Sequence, residues 1–238
     1  VMGYPVGAVL AGPIANALIP EFGWASVFTA GGLLTICMGL LTLALLPESP
    51  EFLAGRAGSW PDRATEVNKL LGRMRRAAIS DIASVVPAVP TISVVAILTP
   101  ERRVRTLALW LIYFMGFLAM YFMLSWIPTL FVDSGYTLVQ GIDALTGFNL
   151  GALPGILLLG FLTTRLPLVS LLSLFFLAAA AVLFWIGLTQ PSELSTLMML
   201  MFAGGFFLHG GFACLYALAA RLYPSDVRAA GVGWAAGL

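Results

Sequence analysis

Residues 104–132 read VRTLALWLIYFMGFLAMYFMLSWIPTLFV, and Arg105 is the sole charge in the run. A helix needs roughly 20 apolar residues to cross the hydrocarbon core of a bilayer, and this stretch exceeds that. Comparable runs lie at Met2–Ile19, Val27–Leu46, Gly141–Leu162, Leu168–Leu188 and Thr196–Ala220, and a further one opens near Ala229. Composition agrees: the 238 residues are 60% hydrophobic and 10% charged, whereas a soluble domain carries about 25% charged residues. So few charges cannot clothe a water-facing surface. The fold class is therefore an all-α polytopic membrane protein, with six full spans and part of a seventh. Both ends fall inside apolar runs, and no charged leader with a small-residue cleavage site opens the chain. An internal fragment of a longer, transporter-sized protein is expected. Cys37 and Cys214 lie inside spans, where thiols are ordinary packing residues.

Charge orients the spans. Of 12 basic residues, Arg56, Arg63, Lys69, Arg73, Arg75, Arg76, Arg102, Arg103 and Arg105 cluster between the second and third spans. Short cytoplasmic loops collect Lys and Arg, which places that stretch inside. Threading onward, Arg165 falls in the next inside loop, and Arg221 and Arg228 in the one after. The opposite loops carry Glu21, Asp133 and Glu193, with Asp143 near a helix mouth. One missed span would scramble this separation.

The basic stretch divides the chain into residues 1–46, 47–103 and 104–238. Its length exceeds the ~2–8 residues of an ordinary helix–helix connection. Ser59-Trp60-Pro61-Asp62 reads as a helix start, and Ala64, Val67, Leu70, Leu71 and Met74 then recur at helical spacing opposite Arg63, Lys69, Arg73 and Arg76. This predicts a basic amphipathic helix, either a brace along the inner leaflet or a solvated linker. Small residues lie at close-packing spacing in the spans: Gly3-Gly7-Ala11-Ala15, Gly147-Gly151-Gly155, and Gly204 with Gly211.

Polar groups at bilayer depth are costly and usually face a bundle interior or an aqueous cavity. His209, in FFLHGGF (Phe206–Phe212), is the only ionisable side chain near the centre of a complete span. At 100° per residue, Phe202, Gly205, Phe212, Ala213 and Tyr216 lie within about 60° of it. Imidazole beside aromatic rings suits an aromatic carboxylate, whose apolar body stacks while a donor meets its charged end. The alternative is a neutral histidine bonded to a neighbouring helix. Asn149 either hydrogen-bonds substrate or pins two helices together. Tyr113, Phe117 and Tyr121 share one arc with Trp110 and are candidates for a cavity wall, or else packing. Arg165, Arg221 and Arg228 read first as inside anchors and second as gate residues.

Several stretches then resemble a known family. Phe22-Gly23-Trp24, Phe28, Gly31-Gly32 and Leu46-Pro47-Glu48-Ser49-Pro50-Glu51-Phe52-Leu53 resemble the sixth helix and central loop of the major facilitator superfamily. YFMGFLAMYFMLSWIPTLFVDSGY (Tyr113–Tyr136) is similar to the seventh helix of its aromatic acid:proton symporters, the branch of the 4-hydroxybenzoate and benzoate transporters. LAARLYPSDVRAAGVGW (Leu218–Trp234) resembles their connection from the tenth to the eleventh helix. The resemblance implies an incomplete bundle running from the fifth helix into the eleventh. Residues 1–46 would be the last two helices of the N-terminal half. Residues 47–103 would be a cytoplasmic central loop, and 104–238 the first four helices and part of the fifth of the C-terminal half. Thr164 stands before Arg165 where the family usually has an acid. The acidic first-helix motif and the charged residues of the fourth helix lie outside this sequence.

What the resemblance implies is proton-coupled import of a small organic anion, an aromatic carboxylate, by alternating access in a bacterial inner membrane. No metal or other cofactor and no nucleic acid is expected, and the full-length protein is expected to be a monomer in the lipid bilayer. A sugar or polyol symporter would want more Gln, Asn and acidic groups in the spans. A non-transporting sensor would use the basic loop as its output. A membrane enzyme needs paired ionisable groups at one depth, which a single buried histidine does not supply.

Overall fold

The computed structural model describes residues 3–50, 53, 60–74, 76–78, 97–223 and 227–237. Its helices are α1 (Gly3–Phe22), α2 (Ala25–Leu45), α3 (Trp60–Arg73), α4 (Arg103–Asp133), α5 (Leu138–Leu162), α6 (Leu168–Thr189), α7 (Leu194–Leu222) and α8 (Arg228–Gly237). Six of them, α1, α2 and α4 to α7, are long and apolar enough to cross a membrane. The chain forms two compact units, 1–23 with 92–238, and 24–91.

In the smaller unit, α2 buries no residue. Cys37 is exposed there, so the packing role expected of it is not seen, whereas Cys214 is buried. In α3, Val67 and Leu70 are buried while Lys69 and Arg73 are exposed, matching the amphipathic reading; Met74 is exposed. Ser59, the expected cap, lies outside the described residues.

The larger unit is organised around α7, where 56% of the apolar window is buried, against 6% in α1. Small residues decide its crossings. On Gly151 and Gly155 of α5, an added Cβ would run into the backbone of Phe202 and Phe206 in α7. On Gly205 of α7 it would meet the backbone of Phe148 in α5. The two helices therefore touch backbone to backbone, which lipid-embedded helices achieve with small residues. On the other side of α7, Gly210 and Gly211 receive the rings of Phe175 and Phe176 from α6, and the Cys214 thiol donates to the Leu168 carbonyl at 3.3 Å. Gly204 makes only ordinary contacts. Of the Gly3-Gly7-Ala11-Ala15 stripe, the first three residues are exposed and Ala15 is half-buried. Instead α1 meets α5 through Gly12, which lies against Ile142 and Thr146.

The turns explain how α4, α5 and α7 are held in register. At the end of α4 the Gly135 N–H donates to Val132 O and the Tyr136 N–H to Phe131 O, each at 3.0 Å. Gly135 is left-handed (φ 89°). This paired closure is the Schellman motif, and the Phe131 and Tyr136 rings pack over it, 5.4 Å apart. The Tyr136 hydroxyl then donates to Ser192 O at 2.6 Å, tying this turn to the one before α7. Beside Glu193, the hydroxyls of Ser195 and then Thr196 hold its carboxyl below the ordinary range.

Immediately after Tyr136, α5 opens with a reciprocal cap. The Thr137 N–H donates to Gln140 Oε1 at 2.8 Å, and the Gln140 N–H to Thr137 Oγ1 at 3.2 Å. Thr137→Ala is expected to destabilise the full-length protein by about 1 kcal/mol, the usual worth of such a cap. A thermal melt in detergent checks this: an unchanged midpoint means water replaces the cap at no cost.

Candidate functional site

A cavity of about 310 Å³ opens at the middle of the larger unit. Four helices wall it: Tyr4 and Pro5 from α1; Phe117, Met120, Tyr121 and Leu124 from α4; Ile156 from α5; and His209, Phe212 and Tyr216 from α7. Its size sits at the low end of the ~300–1,000 Å³ of small-molecule sites. The α4 contribution follows an i, i+3, i+4, i+7 stripe, and that of α7 an i, i+3, i+7 stripe. One face of each helix is therefore turned inward.

The wall is aromatic. Phe117 and Phe212 approach to 4.7 Å between centroids, and Phe117 stacks with Tyr121 at 5.9 Å. Tyr113 lies behind them, fully buried, with its ring edge-on to Tyr216 at 5.6 Å and to Phe212 at 6.4 Å. Tyr121 is 61% exposed and stands at the mouth.

His209 is 3% exposed. Its Nδ1 lies 3.0 Å from the carbonyl oxygen of Gly205, one turn back on its own helix. A carbonyl only accepts, so Nδ1 carries the proton. Nε2 is buried without a protein partner among the described residues. The Tyr4 ring stacks on the imidazole at 6.3 Å, and Phe148 meets it edge-on at 5.1 Å. The bond to a neighbouring helix weighed as an alternative is therefore not what holds this ring.

The structure thus brings together five of the substrate candidates: His209, Phe117, Tyr121, Phe212 and Tyr216. Tyr113 backs the wall without lining it. Asn149 is buried, donates from Nδ2 to Leu145 O at 2.9 Å on its own helix, and does not line the cavity. Phe202 and Gly205, on the predicted face of α7, belong to the crossing with α5 instead. Tyr4, Pro5, Met120, Leu124 and Ile156 were not anticipated. Met120 and Leu124 were legible as the turn-mates of Phe117 and Tyr121; Tyr4 carried no such signal.

The three arginines stand apart from the cavity. The Arg165 guanidinium lies over the Phe161 ring at 4.7 Å, within the range of a cation–π contact. Thr164, in the place of the family's acid, donates to Phe161 O at 2.7 Å and so closes the end of α5. Arg228 Nε donates to Tyr223 O at 3.3 Å, and Arg221 is exposed. Two larger hollows, of about 620 and 560 Å³, are lined mainly by apolar residues, including exposed Met115, Leu118 and Phe122 of α4. Among the described residues no group of His, Cys, Asp and Glu is arranged to hold a metal.

The larger unit is thus a bundle of apolar helices around an aromatic cavity. The chain belongs to the Major Facilitator Superfamily, whose profile matches residues 1–238. It is 34% identical to the gallate transporter of Pseudomonas putida over 99% of this chain and 52% of that protein. It is 33% identical to the 4-hydroxybenzoate transporter PcaK of Pseudomonas aeruginosa, over 99% of this chain and 53% of the relative. It is 30% identical to the 3-(3-hydroxy-phenyl)propionate transporter of Escherichia coli, over 98% and 49%. The chain spans about half the length of these relatives. Family and relatives alike mark a transporter rather than an enzyme. No solved structure gives a significant match.

Proposed function

We propose that this chain is part of a proton-coupled secondary transporter that imports a small organic anion, an aromatic carboxylate, by alternating access. The observation that carries the reading is the aromatic-walled cavity around His209, in a chain whose relatives are named for gallate and 4-hydroxybenzoate transport. Flat rings stack on Phe117, Phe212 and Tyr216, and stacked aromatic pairs add about 0.5–1.5 kcal/mol beyond their area. Alternating access opens this site to each side of the membrane in turn. Entering protons offset the anion's charge, which the membrane potential opposes by about 2.3 kcal/mol per charge per 100 mV.

The protein is a monomer of the bacterial inner membrane, with residues 47–103 in the cytoplasm. Arg165, Arg221 and Arg228 lie at that same cytoplasmic end, as anchors and as contacts that break and re-form during rocking. The sugar or polyol reading is weaker, because the polar groups of the wall are one imidazole and three phenols.

The test is uptake by cells expressing the full-length protein. Labelled 4-hydroxybenzoate should accumulate above its external concentration, and a protonophore should abolish the gradient. Binding without accumulation would mean a sensor. Accumulation that survives the protonophore would remove the proton coupling and leave the carrier.

A further inference from the structure

The two nitrogens of His209 are chemically distinct. With the proton of Nδ1 committed to Gly205 O at 3.0 Å, the neutral ring keeps a bare lone pair at Nε2. That atom is an acceptor, it is buried, and among the described residues no protein group donates to it. A buried acceptor left unpaired is costly, so its natural complement is a donor carried by the ligand. A carboxylate is the wrong complement, since it too presents only lone pairs. This reverses the orientation anticipated from sequence, in which a histidine donor meets the charged end.

We propose that Nε2 of His209 accepts a hydrogen bond from a ring hydroxyl of the substrate, making His209 the residue that selects hydroxylated aromatic acids over unsubstituted ones. The proposal rests on the reading that this cavity is the substrate site. The substrate ring lies among Phe117, Phe212 and Tyr216, its hydroxyl points at the imidazole, and its carboxylate points away from α7. Nε2 is covered in this conformation and Tyr4 of α1 stacks on the imidazole, so binding requires a movement of α1 that admits the ligand to that atom. The remaining hydroxyls of the wall belong to Tyr4, Tyr121 and Tyr216. A phenol can both donate and accept, so these do not discriminate between the two kinds of acid as a pure acceptor does.

The experiment compares initial uptake of labelled 4-hydroxybenzoate and labelled benzoate by the full-length transporter in proteoliposomes. The wild type should show a KM about fivefold lower for the hydroxylated acid, the usual yield of one neutral hydrogen bond. His209→Leu should bring the two KM values within about twofold, through loss on 4-hydroxybenzoate alone. His209→Gln, which offers an amide oxygen, should keep part of the preference. Should His209→Leu fail to accumulate, His209→Met preserves bulk without a comparable acceptor and takes its place. A wild type that treats both acids alike overturns the proposal, as does a preference that survives loss of the acceptor. Either result leaves aromatic acid transport standing. Uptake of neither acid by the wild type removes the transport reading itself, and this proposal with it.

Discussion

Gly205→Ala is expected to strip most of the full-length protein from the membrane, whereas Gly160→Ala leaves its level unchanged. A methyl at Gly205 points into the backbone of Phe148, whose carbonyl carbon would lie 2.6 Å away and Cα 3.0 Å away. Side chains can rotate out of such an encounter; a helical carbonyl cannot. The helices must separate, and they then lose contact at Gly151 and Gly155 as well. Overpacking costs about 1–3 kcal/mol, occasionally more, and a backbone obstacle argues for the upper end. Gly160 is exposed with nothing within 4 Å of its added Cβ. There alanine only improves helix propensity, by at most ~1 kcal/mol. Membrane abundance together with a detergent melt decides the matter: equal midpoints for the two variants would mean that α5 and α7 do not cross this closely.

A second pair of substitutions separates shape from chemistry behind the cavity. Tyr113→Ala should destabilise the protein by about 3–5 kcal/mol, the range for losing a large buried aromatic, and should abolish aromatic acid uptake. The ring of Tyr113 supports both Phe212 and Tyr216, so its removal lets the wall fall backward. Tyr113→Phe should melt and transport like the wild type, because the buried hydroxyl has no protein partner to lose. Melting curves and uptake KM for the two variants form the check. Loss of uptake by Tyr113→Phe at an unchanged melting point would move Tyr113 from scaffold to substrate contact.

The number of spans could be read from sequence because their length is set by the bilayer, and no packing knowledge is needed. Which way each helix faces is a different matter. Every side of a span is apolar, so the contrast that orients a soluble helix is missing. The Gly3-Gly7-Ala11 stripe illustrates the consequence: it has helical spacing, yet α1 meets α5 through Gly12. Glycine in α7 is likewise ambiguous. Gly205, Gly210 and Gly211 serve crossings in two directions, and Gly204 next to them serves neither closely. His209 was legible because an ionisable ring at that depth demands a reason. Asn149 raised the same demand, but its amide donates to its own helix, a solution that leaves no trace in sequence. Tyr4 could not be found, because its role depends on where α1 stands.

The meeting of α5 and α7 through main-chain atoms also bears on how such a carrier can change its diet. The residues that set the distance between the two helices have no side chains, and those that line the cavity, His209, Phe212 and Tyr216, are interleaved with them on the same helix. Architecture and appetite are thus written in separate alphabets along one segment. Replacing an imidazole or a ring reshapes the cavity while the frame keeps its dimensions. Replacing a glycine alters the frame for every solute at once.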